Sequence, residues 1–382
     1  MGSQGSKDGA SSVSRTPSSA VTLMVGNEEM PTFNDDSFKR VREANDVPAT
    51  FLAEGFDFRL KPEGNMSEGG GKGGNLMGFT DNRMYIIKEL NNTDHNTLLR
   101  YAGEYADHMT HADGTLLCNI LAHFYNPTRD HNYLVMNNVI PDPPENSGGM
   151  LLTSESALQS ERSSGDETPM PSELDTRASL NKRRKSAYDL KGCNDDKILV
   201  DDGEGIEEVH KRIFYVHMWF GQCCWSDERK KYFSGKKRAK MQKFYITPQQ
   251  RTDMIKWLRT SVSFLVERNL MDYSLMVSCQ VVDFDDPAAE VLQRAYETSM
   301  HAKITDPFPF ISKHDGKLQV LHVGIIDFLQ DWTCTKNIAM CIKVFERNKA
   351  TVPPSTYGAR FIEHFTNSFV GEAEDVPPLA SV

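Results

Sequence analysis

The sequence predicts an α+β chain folded as two globular segments. Strand-like runs recur in both halves, long helical runs are few and fall among them, and a polar low-complexity stretch parts the halves. A length of 382 residues accommodates two lobes or two modest domains. An apolar content of 39% supplies a sizeable core once polar tails are set aside.

Residues 1–30 are rich in Ser and Gly and are expected to be disordered. The first globular segment spans 31–140. Within it, Phe56–Leu60 alternates as a strand should, Arg83–Lys88 reads as a second strand, Leu98–Met109 as a helix and Tyr133–Met136 as a further strand. From 141 to 187 Glu, Ser, Thr, Pro and Gly dominate and aromatic residues are absent, the signature of a disordered insertion. The charge run Lys182-Arg183-Arg184-Lys185 lies near its end. A second segment spans 188–370, followed by a tail, 371–382. Its longest helical pattern is Pro248–Asn269, with Thr247 placed to cap it and Pro248 at the first helical position. Strands are expected at Ser274–Val282 and Leu318–Leu329, and a last helix at Ser355–Phe369.

The formal net charge of −10 argues against a general nucleic-acid binder. Seven scattered cysteines with no C-x-x-C pair suit a reducing compartment and offer no zinc or disulfide framework. No apolar run reaches the roughly 20 residues that span a bilayer. Met1-Gly2-Ser3-Gln4-Gly5-Ser6 fits the pattern for N-myristoylation at Gly2, and a plain Gly/Ser-rich tail or tag remnant fits equally well. One such chain anchors only marginally, so a second, basic signal is required.

Four features carry chemistry. Gly69–Gly74, including Gly71, Gly73 and Gly74, would let backbone N–H groups approach phosphate oxygens, although by itself the stretch reads more readily as a flexible loop. Lys88 ends an apolar strand fourteen residues later. An inward ammonium there needs an anionic partner, either ATP phosphates or a helix carboxylate, unless it snorkels to solvent. Asp272, in Leu270-Met271-Asp272-Tyr273-Ser274-Leu275, follows the long helix and is placed to accept a proton from a substrate hydroxyl. The plain alternative is a turn residue bonding backbone N–H groups. Asp327, in Gly324-Ile325-Ile326-Asp327-Phe328-Leu329, reads as a carboxylate inside an apolar strand, which is costly unless paired or metal-bound. Mg²⁺ is its natural partner.

In this order, with Tyr188-Asp189-Leu190-Lys191-Gly192 before Met271–Leu275 and Pro354-x-x-Tyr357-x-x-Arg360-Phe361 after Asp327, the chain resembles the phosphatidylinositol phosphate kinases from about residue 36 to 370, insertion excluded. The resemblance implies a divergent two-lobed kinase-like fold with antiparallel sheets and a homodimer. It also implies roles. Lys88 faces ATP phosphates, Asp94 is its helix carboxylate where the family has glutamate, and Asp327 holds Mg²⁺. Asp272 is catalytic, and Lys191, with Asp189 in the same string, lies at the transferring phosphate. The chain departs from the family where Cys193-Asn194-Asp195-Asp196 replaces a serine followed by basic residues, and in Lys72-Gly73-Gly74, where a serine is common.

The segment 332–354 resembles the family's specificity loop. Ala339 falls at the position that separates preference for phosphatidylinositol 4-phosphate from preference for the 5-phosphate, with Lys336 and Lys343 beside it. Either substrate gives the 4,5-bisphosphate. Eight basic residues between Arg229 and Lys243, among them Lys236, Lys237, Arg238 and Lys240, are the second signal for an anionic membrane on its cytosolic face, unless they are a solvated loop. The competing readings are a soluble inositol polyphosphate kinase and a catalytically weak kinase fold serving as a phosphoinositide-binding scaffold.

Overall fold

The computed structural model describes residues 21–53, 66–68, 76–80, 83–140, 185–206, 226–286, 289–290, 292–294, 309–333 and 352–377. The chain divides into two compact units, Met1–Thr110 with Ile120–Met136, and His111–Asn119 with Asn137–Val382. The expected strand Phe56–Leu60, the glycine stretch, Gly2, the specificity-loop residues Lys336, Ala339 and Lys343, and nearly all of the insertion lie outside the described residues.

In the first unit, β1 (Thr22–Val25) and β2 (Glu28–Pro31) form a hairpin that leads into α1 (Asp35–Ala44). Phe38 and Val41 bury one face of α1 against β6 (Ile120–Asn126). Arg42 is buried on that side and is satisfied twice, by Asp35 at 3.0 Å and by the Leu121 carbonyl at 2.7 Å. A five-stranded sheet runs in the order β3 (Met66–Glu68), β4 (Leu76–Phe79), β5 (Tyr85–Leu90), β7 (His131–Asn137), β6. The helix α2 spans Asn92–His111 and starts six residues before the expected Leu98. Its first turn is polar and shows no apolar period. Its start is set instead by Asn91, whose side-chain oxygen accepts the Asp94 N–H at 2.9 Å in the manner of an N-cap. Leu98, Tyr101, Ala102, Tyr105 and Ala106 then bury one stripe, and the Tyr105 hydroxyl accepts the Ile120 N–H at 2.8 Å.

The second unit is built on a six-stranded antiparallel sheet. Its order is β10 (Glu204–Gly205), β9 (Lys197–Asp201), β8 (Lys185–Leu190), β13 (Ser274–Asp283), β15 (Lys317–Ile326), β14 (Phe310–His314). From Leu318 to Ile325 every residue of β15 is buried, which explains its continuous apolar run. The helix α3 spans Asp227–Met241 and starts at Ser226, whose hydroxyl accepts the Arg229 N–H. From the sequence this stretch reads only as a basic run. The long helix is α4 (Pro248–Glu267), capped as expected. Thr247 and Gln250 exchange side-chain and backbone hydrogen bonds in a capping box, with Pro248 at the first position.

The helix α5 (Pro354–Ser368) packs on α4, and Gly358 permits the approach. A Cβ at Gly358 would lie 2.6 Å from Val266 Cγ2. Two short pairs complete this unit: β11 (Phe244–Tyr245) with β17 (Phe369–Val370) in parallel, and β12 (Leu270–Met271) with β16 (Gln330–Asp331) antiparallel. The segment His111–Asn119 belongs to this unit, where Leu116 N–H donates to Ser261 Oγ at 2.8 Å and Cys118 N–H to the Ile325 carbonyl at 3.0 Å.

Candidate active site

Strand register brings the distant motifs of the second unit to one end of its sheet. Leu190 pairs with Leu275, and Ser274 pairs with Ile326. The residues just beyond those pairs, Lys191, Asp272–Tyr273 and Asp327, therefore leave the sheet together. A second ladder begins immediately afterwards, with Met271 opposite Gln330 and Leu270 opposite Asp331. Asp272 and Asp327 thus occupy facing breaks between two antiparallel ladders. Each break is made by left-handed backbone, φ 65° at Asp272 and 58° at Asp327. Aspartate tolerates that region better than most residues, and among the described residues seven other non-glycine residues, six of them Asp or Asn, adopt it too, so the conformation shapes the break without by itself marking function.

Lys191 reaches across to this break. Its ammonium donates to the Asp272 carbonyl at 2.8 Å and to Asp272 Oδ1 at 2.6 Å. Burial works against its charge, but the carboxylates of Asp272, Asp189 and Asp327 outweigh burial and raise its pKa, so the ammonium stays protonated. The Lys191 and Asp272 side chains keep 20% and 31% of their surface exposed, enough to meet a ligand. Asp189 faces β9, where Lys197 Nζ stands 3.3 Å from its Oδ2.

Asp327 requires a correction. It does not lie inside an apolar strand: β15 ends at Ile326, and Asp327 is exposed just past it. The burial argument for a metal at Asp327 therefore falls. What remains is its place at the sheet end that it shares with Lys191 and Asp272.

The two aromatic motifs flanking the site are packing partners. The buried Tyr357 hydroxyl donates to the Tyr273 carbonyl at 2.5 Å, next to Asp272 in the chain. The Tyr273 ring meets Tyr357 and Phe361 edge-on at 4.7 and 4.9 Å. The C-terminal string thereby anchors the loop that carries Asp272.

The acidic departure after Gly192 is not a solvated run. Cys193 is buried, and burial pushes its thiol up to about 11, so it is an inert thiol. Asp196 is fully buried, and its Oδ1 accepts the N–H groups of Lys191 at 2.6 Å and of Cys193 at 3.2 Å. Sequence reading saw this residue only as part of a departure from the family and gave it no role. Its signal was an adjacent pair of acids, Asp195-Asp196, within hydrogen-bonding reach of a tight Gly turn, of which Asp196 is the one fully buried.

The expected nucleotide residues Lys88 and Asp94 belong to the first unit. Lys88 is half-buried on β5, opposite Met77, and Asp94 is buried in the first turn of α2, tied to Asn91.

Within the basic run, α3 turns several side chains back on its own unit. Arg238 pairs with Asp201, Lys231 with Glu204 and Lys236 with Asp195, and Lys240 donates to Asn194 Oδ1 at 3.0 Å. Tyr232 is buried beneath Lys236. Lys237 is exposed.

A family profile described as Phosphatidylinositol-4-phosphate 5-Kinase matches residues 63–147, 176–307 and 288–368. Over 167 residues, 34% of this chain and 40% of the relative, the chain is 28% identical to a phosphatidylinositol 5-phosphate 4-kinase type-2 gamma of Xenopus tropicalis. Over 317 residues, 78% of this chain and 15% of the relative, it is 20% identical to a phosphatidylinositol 4-phosphate 5-kinase of Plasmodium falciparum (isolate 3D7). The chain spans less than half the length of either relative. The matched segments contain Lys88, Lys191, Asp272 and Asp327, in the order expected from the sequence. Taken with the convergence of the last three at one sheet end, the match over most of the chain places this protein in the phosphatidylinositol-4-phosphate 5-kinase family.

Proposed function

We propose that this chain transfers the γ-phosphate of ATP to a phosphatidylinositol monophosphate at a membrane surface and produces phosphatidylinositol 4,5-bisphosphate. The observation that carries the proposal is the Lys191–Asp272 pair beside Asp327 at the common end of β8, β13 and β15. Asp272 accepts the proton of the inositol hydroxyl as the new O–P bond forms and the bond to ADP breaks. Lys191 is held charged beside it and stabilises the negative charge on the transferring phosphoryl group.

One exposed carboxylate suits Mg²⁺, which usually takes one or two carboxylates along with nucleotide phosphates, and among the described residues no three metal-ligating side chains gather into a cluster. Asp327 is an exposed carboxylate, and the carboxylates of Asp272 and Asp189 act on the same ammonium. Asp327 would hold Mg²⁺, which when bound neutralises charge on the nucleotide phosphates. Lys88 serves ATP phosphates by family resemblance, with Asp94 as its carboxylate partner. The match to relatives named for the 5-phosphate and for the 4-phosphate supports a single product, since each reaction fills the remaining position.

Membrane docking rests on the exposed lysines of α3, above all Lys237, because Lys236, Arg238 and Lys240 already have partners in the unit. It would place the protein on the cytosolic face of an anionic membrane. A Gly2 myristoyl group and a homodimer are parts of the same proposal that rest on the sequence and the resemblance alone.

The test is transfer of labelled phosphate from Mg·ATP to liposomes bearing either monophosphate, with Asp327→Asn as the control. Turnover that disappears in the control supports the proposal. Liposome binding without turnover on either lipid would replace it with the scaffold reading.

A further inference from the structure

The turn after β8 presents Lys191, and its shape is imposed from below. Gly192 adopts φ 67°, and a Cβ there would stand 3.2 Å from His364 Cβ. Asp196 folds back under this turn with none of its surface exposed. Its Oδ1 takes the Lys191 and Cys193 N–H groups, while Oδ2 meets no hydrogen-bond donor among the described residues and lies 3.8 Å from His364 Nε2. Outside the turn, Lys240 and Lys236 of α3 hold Asn194 through its side chain at 3.0 Å and its carbonyl at 3.4 Å. A buried carboxylate with one oxygen unmatched is a costly choice for a mere loop. The carboxylate oxygen serves two N–H groups of this one turn, which a non-accepting side chain would leave unmatched.

We propose that Asp196 is a positioning residue for this site: its carboxylate fixes the Lys191 backbone, so that the ammonium is delivered to Asp272 and to the phosphate that Asp272 serves. The assignment rests on the kinase reading. It adds to that reading a residue whose hydrogen bonds go to the turn that carries Lys191 and which acts through Lys191. The acidic string after Gly192 then has a purpose, since it replaces the family's serine and basic residues with an internal brace. Asp196→Ala removes the brace, and Asp196→Asn keeps an acceptor in the same place.

Two readouts test this. The first is the rate at which the Lys191 amine is trace-labelled by acetic anhydride, measured by mass spectrometry against exposed Lys317. The second is kcat and KM for ATP with phosphoinositide liposomes. In Asp196→Ala, Lys191 labelling is expected to rise several-fold and kcat to fall at least tenfold with KM for ATP within twofold. Asp196→Asn is expected to restore both to within about twofold. Native-like labelling and kcat in a folded Asp196→Ala variant would overturn the proposal, as would an Asn variant as impaired as the Ala one. Should Asp196→Ala fail to fold, amide hydrogen exchange in the unaltered protein decides. Slow exchange at the Lys191 and Cys193 amides supports the brace, and solvent-like exchange overturns it. Absence of turnover by the unaltered protein would count against the kinase reading alone, and the labelling and exchange readouts would still judge Asp196.

Discussion

Asp272 and Lys191 share two hydrogen bonds, and that doubling makes the pair a geometric unit rather than a surface ion pair. Replacing Asp272 with Asn leaves the carbonyl bond to Lys191 but removes the proton acceptor. The expected loss in kcat is about a hundredfold or more, with the fold intact by circular dichroism. Tyr357→Phe tests the neighbouring anchor. It leaves the buried Tyr273 carbonyl without its donor, so unfolding in urea should show a loss of about 1–3 kcal/mol.

Asp196 makes a pH prediction. Burial raises its carboxyl from 3.8 to about 6, and Asp189 adds to the rise against the backbone N–H groups that oppose it. The folded pKa is the higher one, so the folded chain holds a proton that the unfolded chain has released. The contribution of this group to stability is therefore present at low pH and lost as pH rises from about 4 to about 6. Asn at this position carries no such proton. The stability of Asp196→Asn relative to the unaltered chain should climb across that window and level off above it, read from urea midpoints at several pH values.

At the scale of elements, the site is where two ladders meet. β13 and β15 pair through ten registered positions, break at Asp272 and Asp327, and resume as β12 and β16. The break keeps both carboxylates out of the ladders, at one end of the sheet. Helix α5 supports this break from behind through Tyr357 and reaches α4 only because Gly358 has no side chain. Gly358→Ala weighs two opposed effects. Alanine gains about 1 kcal/mol in helix propensity. The added carbon meets Val266 Cγ2 at 2.6 Å and Val262 Cγ1 at 2.9 Å, and such overpacking costs about 1–3 kcal/mol. Net destabilisation is expected in chemical denaturation, and kcat should fall with it because the Asp272 loop leans on α5.

At the scale of the molecule, a net charge of −10 coexists with a basic helix because α3 spends much of its charge on Asp195, Asp201 and Glu204 of its own unit. Charge exchange inside the unit differs from a membrane patch, and the two respond differently to mutation. Lys237→Glu should weaken binding to anionic vesicles and leave the melting temperature unchanged. Arg238→Gln should mainly loosen β9, with a modest effect, since exposed pairs contribute about 0.2–1 kcal/mol. Mg·ATP at a hundred times its dissociation constant should stabilise the folded protein by about 2.7 kcal/mol, seen as a raised melting temperature that Asp327→Asn reduces.

The sequence by itself determined the periodic elements and the order of the motifs. Helix α4 and its Thr247 cap were legible because burial repeats every three to four residues and capping is local chemistry. Strands β5, β7, β13 and β15 were legible from short apolar runs and period-two alternation, to within a few residues at their ends. The polar first turn of α2 and the whole of α3 were not, because neither carries an apolar stripe. A side-chain cap starts each, and α3 is held by partners distant in the chain. Only the tertiary structure decided that Asp327 lies beyond its strand, that Lys191 bonds Asp272, and that Asp196 is buried. Those facts depend on register between strands far apart in the chain. A pairing shift of one residue turns every side chain to the opposite face, and no local pattern encodes which residue of β8 meets which residue of β13.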